Sequence, residues 1–188
     1  MSIQAENSKN DGLLKNLQSI SFANLITVSR LIITPVLIYT ILNDYYVISG
    51  LLVCFAILSD WLDGIIARKT NDVTKHGELL DPAVDKIFTI SVLIAFVEKH
   101  LISTFIVFLI ILREMMITWL RSVMVSKGVV VSASIYGKIK TTLQLAAIFL
   151  LSINLVDVGV ILLWISIAVA YYSALDYFKL FINKKVWK

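Results

Sequence analysis

The sequence predicts an all-α, polytopic membrane protein with six transmembrane helices, preceded by a short N-terminal amphipathic helix at the membrane interface. Three observations carry that expectation. The chain is 59% hydrophobic with a mean hydropathy of +0.87 and only 16% charged residues, whereas soluble domains carry about 25% charge. Its 188 residues hold long apolar runs, enough for about six bilayer-crossing helices of roughly 20 residues each. Its lysines and arginines gather in alternate connecting segments, as they do in membrane proteins of fixed orientation. A large soluble domain is excluded, and no nucleic-acid partner is expected.

Within residues 1–21, Leu13, Leu14, Leu17 and Ile20 are spaced as one face of an interfacial helix. No small-residue cleavage site follows this first apolar run, so a removable signal peptide is not expected. The membrane domain is expected over 22–178. Its first span runs from about Phe22 to Asn43, with Pro35 inside it to free a carbonyl and bend the helix. After the polar turn at Asn43-Asp44, a second span covers about Val47 to Arg68, and a third starts around Asp81 and ends near Glu98. The turn at Lys99-His100 leads to a fourth span from about Leu101 to Val125; the fifth runs from about Tyr136 to Asn154 and the sixth from about Val158 to Phe178. Residues 179–188, with Lys179, Lys184, Lys185 and Lys188, form a basic tail.

With the N-terminus inside, the inner segments hold Lys9, Lys15, Arg68, Lys69, Lys75, Lys127 and the tail lysines, and the outer turns hold only Lys99. Both termini are therefore expected on the cytoplasmic side. Cys54 has no partner for an internal disulfide, and His76 and His100 stand alone.

The chemistry concentrates between Asp60 and Asp85. The pattern is Asp60-x-x-Asp63-Gly64-x-x-Ala67-Arg68, then eight residues, then Gly77-x-x-x-Asp81-x-x-x-Asp85. On helices, each aspartate pair shares one face. Each feature alone has a plain structural reading: Asp81 before Pro82 as a helix cap, Arg68 and Lys69 as topological anchors. Together, four carboxylates on one side of a membrane repel unless divalent cations sit between them. Oxygen ligands suit Mg²⁺ or Mn²⁺ rather than zinc, and two such ions would balance the four charges. Paired metals commonly clamp phosphate oxygens. Arg30, Arg113, Arg121, Lys138 and Lys140 lie inside spans, where ionisable groups are costly and are functional candidates by default. Glu114 can neutralise one of them; the rest call for an anion, and phosphate is the natural partner.

At these residues the chain resembles the CDP-alcohol phosphatidyltransferase family, whose signature D-x2-D-G-x2-A-R-x8-G-x3-D-x3-D it matches in every residue and spacing. Asn24-x-x-Thr27-x-x-Arg30 with Pro35, Arg113-Glu114 with Arg121, and Gly137-Lys138-Ile139-Lys140-Thr141 with Gln144 resemble the bacterial phosphatidylglycerophosphate synthase branch. The resemblance implies a six-helix, usually homodimeric enzyme of the bacterial cytoplasmic membrane. Its reaction moves a phosphatidyl group from CDP-diacylglycerol to an alcohol and releases CMP. Asp60, Asp63, Asp81 and Asp85 would hold the metal, with Asp85 the general base. Asn24, Thr27, Asp63, Gly64, Ala67, Arg68 and Gly77 would line the CDP pocket. The basic set Arg113, Arg121, Lys138 and Lys140 favours a phosphorylated acceptor, and the branch selects glycerol 3-phosphate. Inositol phosphate, and phosphatidylglycerol as in cardiolipin synthases, remain alternatives within the family. A divalent-cation transporter is the alternative of a different class, although the outer halves of the spans are nearly uncharged.

Overall fold

The computed structural model describes residues 22–70, 75–128 and 135–183, with side chains described for all of these except 22–28, 60–70, 75–82, 180 and 183. These residues form six α-helices, with no strand among them: α1 Phe22–Leu42, α2 Tyr46–Thr70, α3 Lys75–Glu98, α4 Thr104–Ser126, α5 Ile135–Ser152 and α6 Val156–Asn183. The expected interfacial helix and the lysines at 184, 185 and 188 lie outside the described residues. Two boundaries differ from expectation. Helix α3 starts at Lys75 rather than around Asp81, so Asp81-Pro82 falls inside the helix and is not its cap. Helix α6 continues to Asn183, past the expected end at Phe178 and through Lys179.

Helix α1 packs against both α2 and α3, α5 against α2 and α6, and α4 against α3 and α6. Close approach is possible where a side chain is missing: a Cβ on Gly159 would lie 2.7 Å from Leu151 Cγ, and one on Gly50 would lie 2.6 Å from Ile153 Cγ2. A larger core of Leu37, Val53, Phe96, Ile110, Ile148, Leu163 and their neighbours occupies one part of the bundle. A smaller one, Ile117, Leu120, Met124, Ala174, Tyr177 and Phe181, joins α4 to α6. On α4 the break between the two cores falls at Arg113 and Glu114.

The outside of the bundle is as apolar as its inside. Ile32, Leu51, Ile94, Phe105, Ile139 and Ile161, one from each helix in order, are all exposed, a surface suited to lipid rather than water. Buried hydroxyls find partners: Thr34 donates to the Arg30 carbonyl at 2.7 Å and Ser166 to that of Leu163 at 2.7 Å within their own helices, and Ser49 of α2 donates to Thr40 Oγ1 of α1 at 3.0 Å, as polar groups away from water must. One stretch, Val156–Lys179 of α6, is long and apolar enough by itself to cross a membrane, with a mean hydropathy of 2.1. Ser29–Leu42 and Tyr46–Ser59 are shorter apolar stretches. Six helices are thus present among the described residues, as expected, and one of them holds a stretch long and apolar enough to span a membrane.

Three helix ends share one geometry. At Asp44, His100 and Asn154 the backbone turns left-handed, with φ of 62°, 56° and 66°. The next residue's amide reaches back to Thr40, Phe96 and Leu150 carbonyls at 3.0, 3.0 and 2.9 Å. These are Schellman caps formed without glycine. Lys99 donates to Asp44 at 2.6 Å, tying the first turn to the second. That hydrogen bond holds the Asp44 carboxyl below its ordinary pKa, so the tie is present at neutral pH and is lost as pH falls through the lowered value. His100 is exposed and gives its left-handed turn no such contact. His100→Gly is expected to stabilise the protein by about 1 kcal/mol, read as a higher thermal unfolding midpoint in detergent. A lower midpoint would show that the imidazole supports the turn.

Candidate anion and carboxylate site

Where the cores part, α3, α4, α5 and α6 enclose a cavity of about 450 Å³ whose charged lining is Lys86, Arg113, Arg121, Lys138, Lys140 and Glu114. Five cations therefore surround one carboxylate. Arg113 is held deepest, 6% exposed; its Nε donates to the Ala170 carbonyl at 3.2 Å and its Nη1 to Glu114 Oε1 at 2.9 Å. Lys140, buried on α5, donates to the same Glu114 oxygen. Arg121 lies two turns beyond Arg113. Its Nη2 donates to the Tyr177 hydroxyl at 2.5 Å, and its guanidinium carbon lies 5.0 Å from the centre of that ring. Lys86 enters from α3 and donates to Thr118 Oγ1 at 2.5 Å, a neutral partner that leaves its charge uncompensated by that contact.

A second cavity of about 180 Å³ adjoins the first, sharing Lys86, Glu114, Lys140 and Thr141 with it and adding Asp85, Thr89 and Gln144. A third, smaller space is lined by Asp85, Thr89 and Thr141 together with Arg30 of α1. Arg30 is 4% exposed and its Nη1 donates to Asp85 Oδ1, whereas the Asp85 side chain is about half exposed, at 48%. Adjoining cavities with shared walls thus extend from the basic chamber to the Asp85 carboxylate. Such a lining suits an anion of high charge density, to which the cations can offer charge-assisted hydrogen bonds, and the adjoining cavity is bordered by the Asp85 carboxylate.

The structure brings Arg113, Arg121, Lys138 and Lys140 to one cavity and places Asp85 in the next, paired with Arg30. Asp60, Asp63, Gly64, Ala67 and Arg68 lie on α2, Gly77 and Asp81 on α3, and Asn24 and Thr27 on α1; their side chains are outside those described. Among the described residues no group of three carboxylate, histidine or cysteine side chains forms a metal cluster. Sequence reasoning missed Lys86, Thr118 and Tyr177. The signal for Lys86 was present, since it is an ionisable residue inside a membrane helix; nothing local distinguishes Tyr177 from other aromatic residues.

A profile described as CDP-alcohol phosphatidyltransferase matches residues 20–172. The chain is 35% identical over 140 residues to a protein of Aquifex aeolicus, covering 73% of this chain and 75% of the relative. It is 34% identical over 164 residues to one of Wigglesworthia glossinidia brevipalpis, covering 81% and 90%. With one of Bacillus subtilis it shares 30% identity over 177 residues, covering 82% and 92%. All three relatives carry the name CDP-diacylglycerol–glycerol-3-phosphate 3-phosphatidyltransferase.

Tyr177→Phe keeps the ring beneath Arg121 and deletes one hydrogen bond, worth about 1 kcal/mol. Phosphate binding to the purified protein, measured by titration calorimetry, is expected to weaken about fivefold. Unchanged affinity would show that Arg121 does not face the bound anion.

Proposed function

The chain belongs to the CDP-alcohol phosphatidyltransferase family, and from that premise we propose that it transfers the phosphatidyl group of CDP-diacylglycerol to glycerol 3-phosphate, giving phosphatidylglycerophosphate and CMP. The observation that carries this choice of acceptor is the basic cavity, with five cations around one carboxylate. A phosphomonoester brings nearly two negative charges at neutral pH; a neutral polyol or zwitterionic serine brings no net charge. The names of the relatives support the same reading.

On this reading all six helices span the cytoplasmic membrane, with 22–178 as the catalytic domain and 1–21 and 179–188 as cytoplasmic or interfacial flanks. The apolar exterior of every helix supports it, as does the single cation, Lys99, in the three tight turns. The site then opens to the cytoplasm, where a soluble phosphorylated acceptor can enter, while the acyl chains of the donor remain in lipid.

The family implies Mg²⁺ or Mn²⁺, and the donors fit a hard cation. They are carboxylates, and the one described, Asp85, is accessible and borders a cavity. Asp60, Asp63, Asp81 and Asp85 would hold one or two ions. When bound, the metal supplies charge neutralisation on the diphosphate. The chain's own residues divide the remaining work. Asn24, Thr27, Asp63, Gly64, Ala67, Arg68 and Gly77 line the CDP pocket. Arg113, Arg121, Lys138 and Lys140 hold the acceptor phosphate and so fix its hydroxyl towards Asp85. Arg30 orients the Asp85 carboxylate, which takes the hydroxyl proton. The acceptor oxygen forms a bond to the lipid-side phosphorus as the bond to the CMP oxygen breaks.

The test is CMP release by the purified protein with CDP-diacylglycerol and Mg²⁺, with glycerol 3-phosphate, inositol phosphate, inositol, serine and phosphatidylglycerol offered separately. Release with glycerol 3-phosphate alone, lost in EDTA, is expected; release with another acceptor instead would move the chain to a different branch of the family. Asp85→Asn is expected to lower turnover by about 10²–10⁴ while CDP-diacylglycerol binding is largely retained. A wild-type rate would remove Asp85 from proton transfer.

A further inference from the structure

Glu114 has no part in the steps above, yet its side chain lines both the basic chamber and the adjoining cavity that Asp85 borders. Its side chain is 14% exposed, and it lies between two cations that are buried still deeper, Arg113 at 7% and Lys140 at 10%. Both donate to one oxygen, Oε1. Two of the cations lining the anion chamber are thus already engaged by an anion belonging to the chain. Any incoming anion must lie beside Glu114, against like-charge repulsion, or take over its donors. Either course costs more than entry into an unguarded basic pocket.

We propose that Glu114 is a specificity-determining residue of this chamber, an internal competitor that admits phosphomonoesters and excludes monoanions. The inference rests on the reading of the chamber as the acceptor-phosphate site and adds to it how that site discriminates. A carboxylate or chloride offers Arg113 and Lys140 no more than Glu114 already does. A phosphomonoester carries close to twice the charge and three acceptor oxygens. It can engage the Glu114 donors and also Arg121, Lys138 or Lys86, which line the same space. Lys86, held by the neutral Thr118 hydroxyl, gives up no ion pair with that partner when it turns to an anion. In the empty chamber Glu114 keeps Arg113 and Lys140 from facing each other uncompensated, since buried charges without partners are strongly destabilising. A purely structural Glu114 would set stability and leave the choice between anions untouched.

Anion selectivity separates these roles. The full chain in detergent, without CDP-lipid, is titrated with inorganic phosphate and with acetate at constant ionic strength, and the thermal unfolding midpoint is followed. Phosphate is expected to raise the wild-type midpoint and acetate to leave it unchanged. In Glu114→Gln the phosphate concentration giving half the shift is expected to fall about tenfold, and acetate is expected to stabilise as well. Should that variant not fold, Glu114→Asp keeps the charge but shortens its reach to the two donors, and the same shifts are expected in smaller measure. Unchanged or weaker phosphate binding in the variant that folds, with acetate still inert, overturns the proposal and leaves the phosphate site standing. No phosphate effect on the wild type overturns the site and this inference together.

Discussion

A cation buried in an apolar helical bundle must find its counter-charge inside the protein, and this constraint shapes the middle of the molecule. Arg30, Arg113 and Lys140 are all buried. Asp85 answers the first, and Glu114 the other two. The apolar core parts around them, with Ile110 on one side and Ile117 on the other along α4. Hydrophobic residues of similar volume would often be as stable or more so. The ionic layer therefore needs an explanation other than stability, and the open cavity beside it supplies one.

Packing at a distance determines whether that layer can form. Gly159 lets α6 lie close to α5 near the turn at Asn154. From there α6 runs alongside α4, so that the Ala170 carbonyl meets Arg113 and the Tyr177 hydroxyl meets Arg121. A bulky side chain at Gly159 would move this helix and with it two partners of the basic chamber. The left-handed turn at His100 acts similarly on α3 and α4, setting the pairing that brings Lys86 to Thr118. Turn geometry, small-residue contact and site geometry form one chain of dependence.

The helices were legible because long apolar runs follow a simple rule: each satisfies its own backbone as a helix and shows apolar side chains outward. That rule also made the intramembrane cations conspicuous, and the four picked out beyond Arg30 do share a cavity. It failed at α3, where Asp81-Pro82 carries the local signature of a helix start but falls inside a helix that begins at Lys75. Adjacent residues on a helix point in directions about a quarter-turn apart, so Lys86 cannot share the direction of Asp85. The motif draws attention to Asp85, whereas the direction of Lys86 depends on where α4 packs. Tyr177 lies 56 residues from Arg121, and their contact exists only through α4–α6 docking. Local pattern names residue types suited to chemistry, but partnership across helices is a property of packing.

Charge narrows the acceptor further than cavity size does. A phosphodiester, such as the headgroup of a second phospholipid, carries one negative charge and presents two unesterified oxygens. Against Glu114 it would hold no advantage in charge, and it would have fewer oxygens to offer Arg121 and Lys138. A phosphomonoester has the charge to compete, and a small one leaves room for its hydroxyl in the adjoining space bordered by Asp85. The residues common to both spaces, Lys86, Glu114, Lys140 and Thr141, would then contact the acceptor between its phosphate and its nucleophile. Selection by charge and placement for attack would fall to the same side chains, so an anion that fails to displace Glu114 also fails to bring a hydroxyl to Asp85.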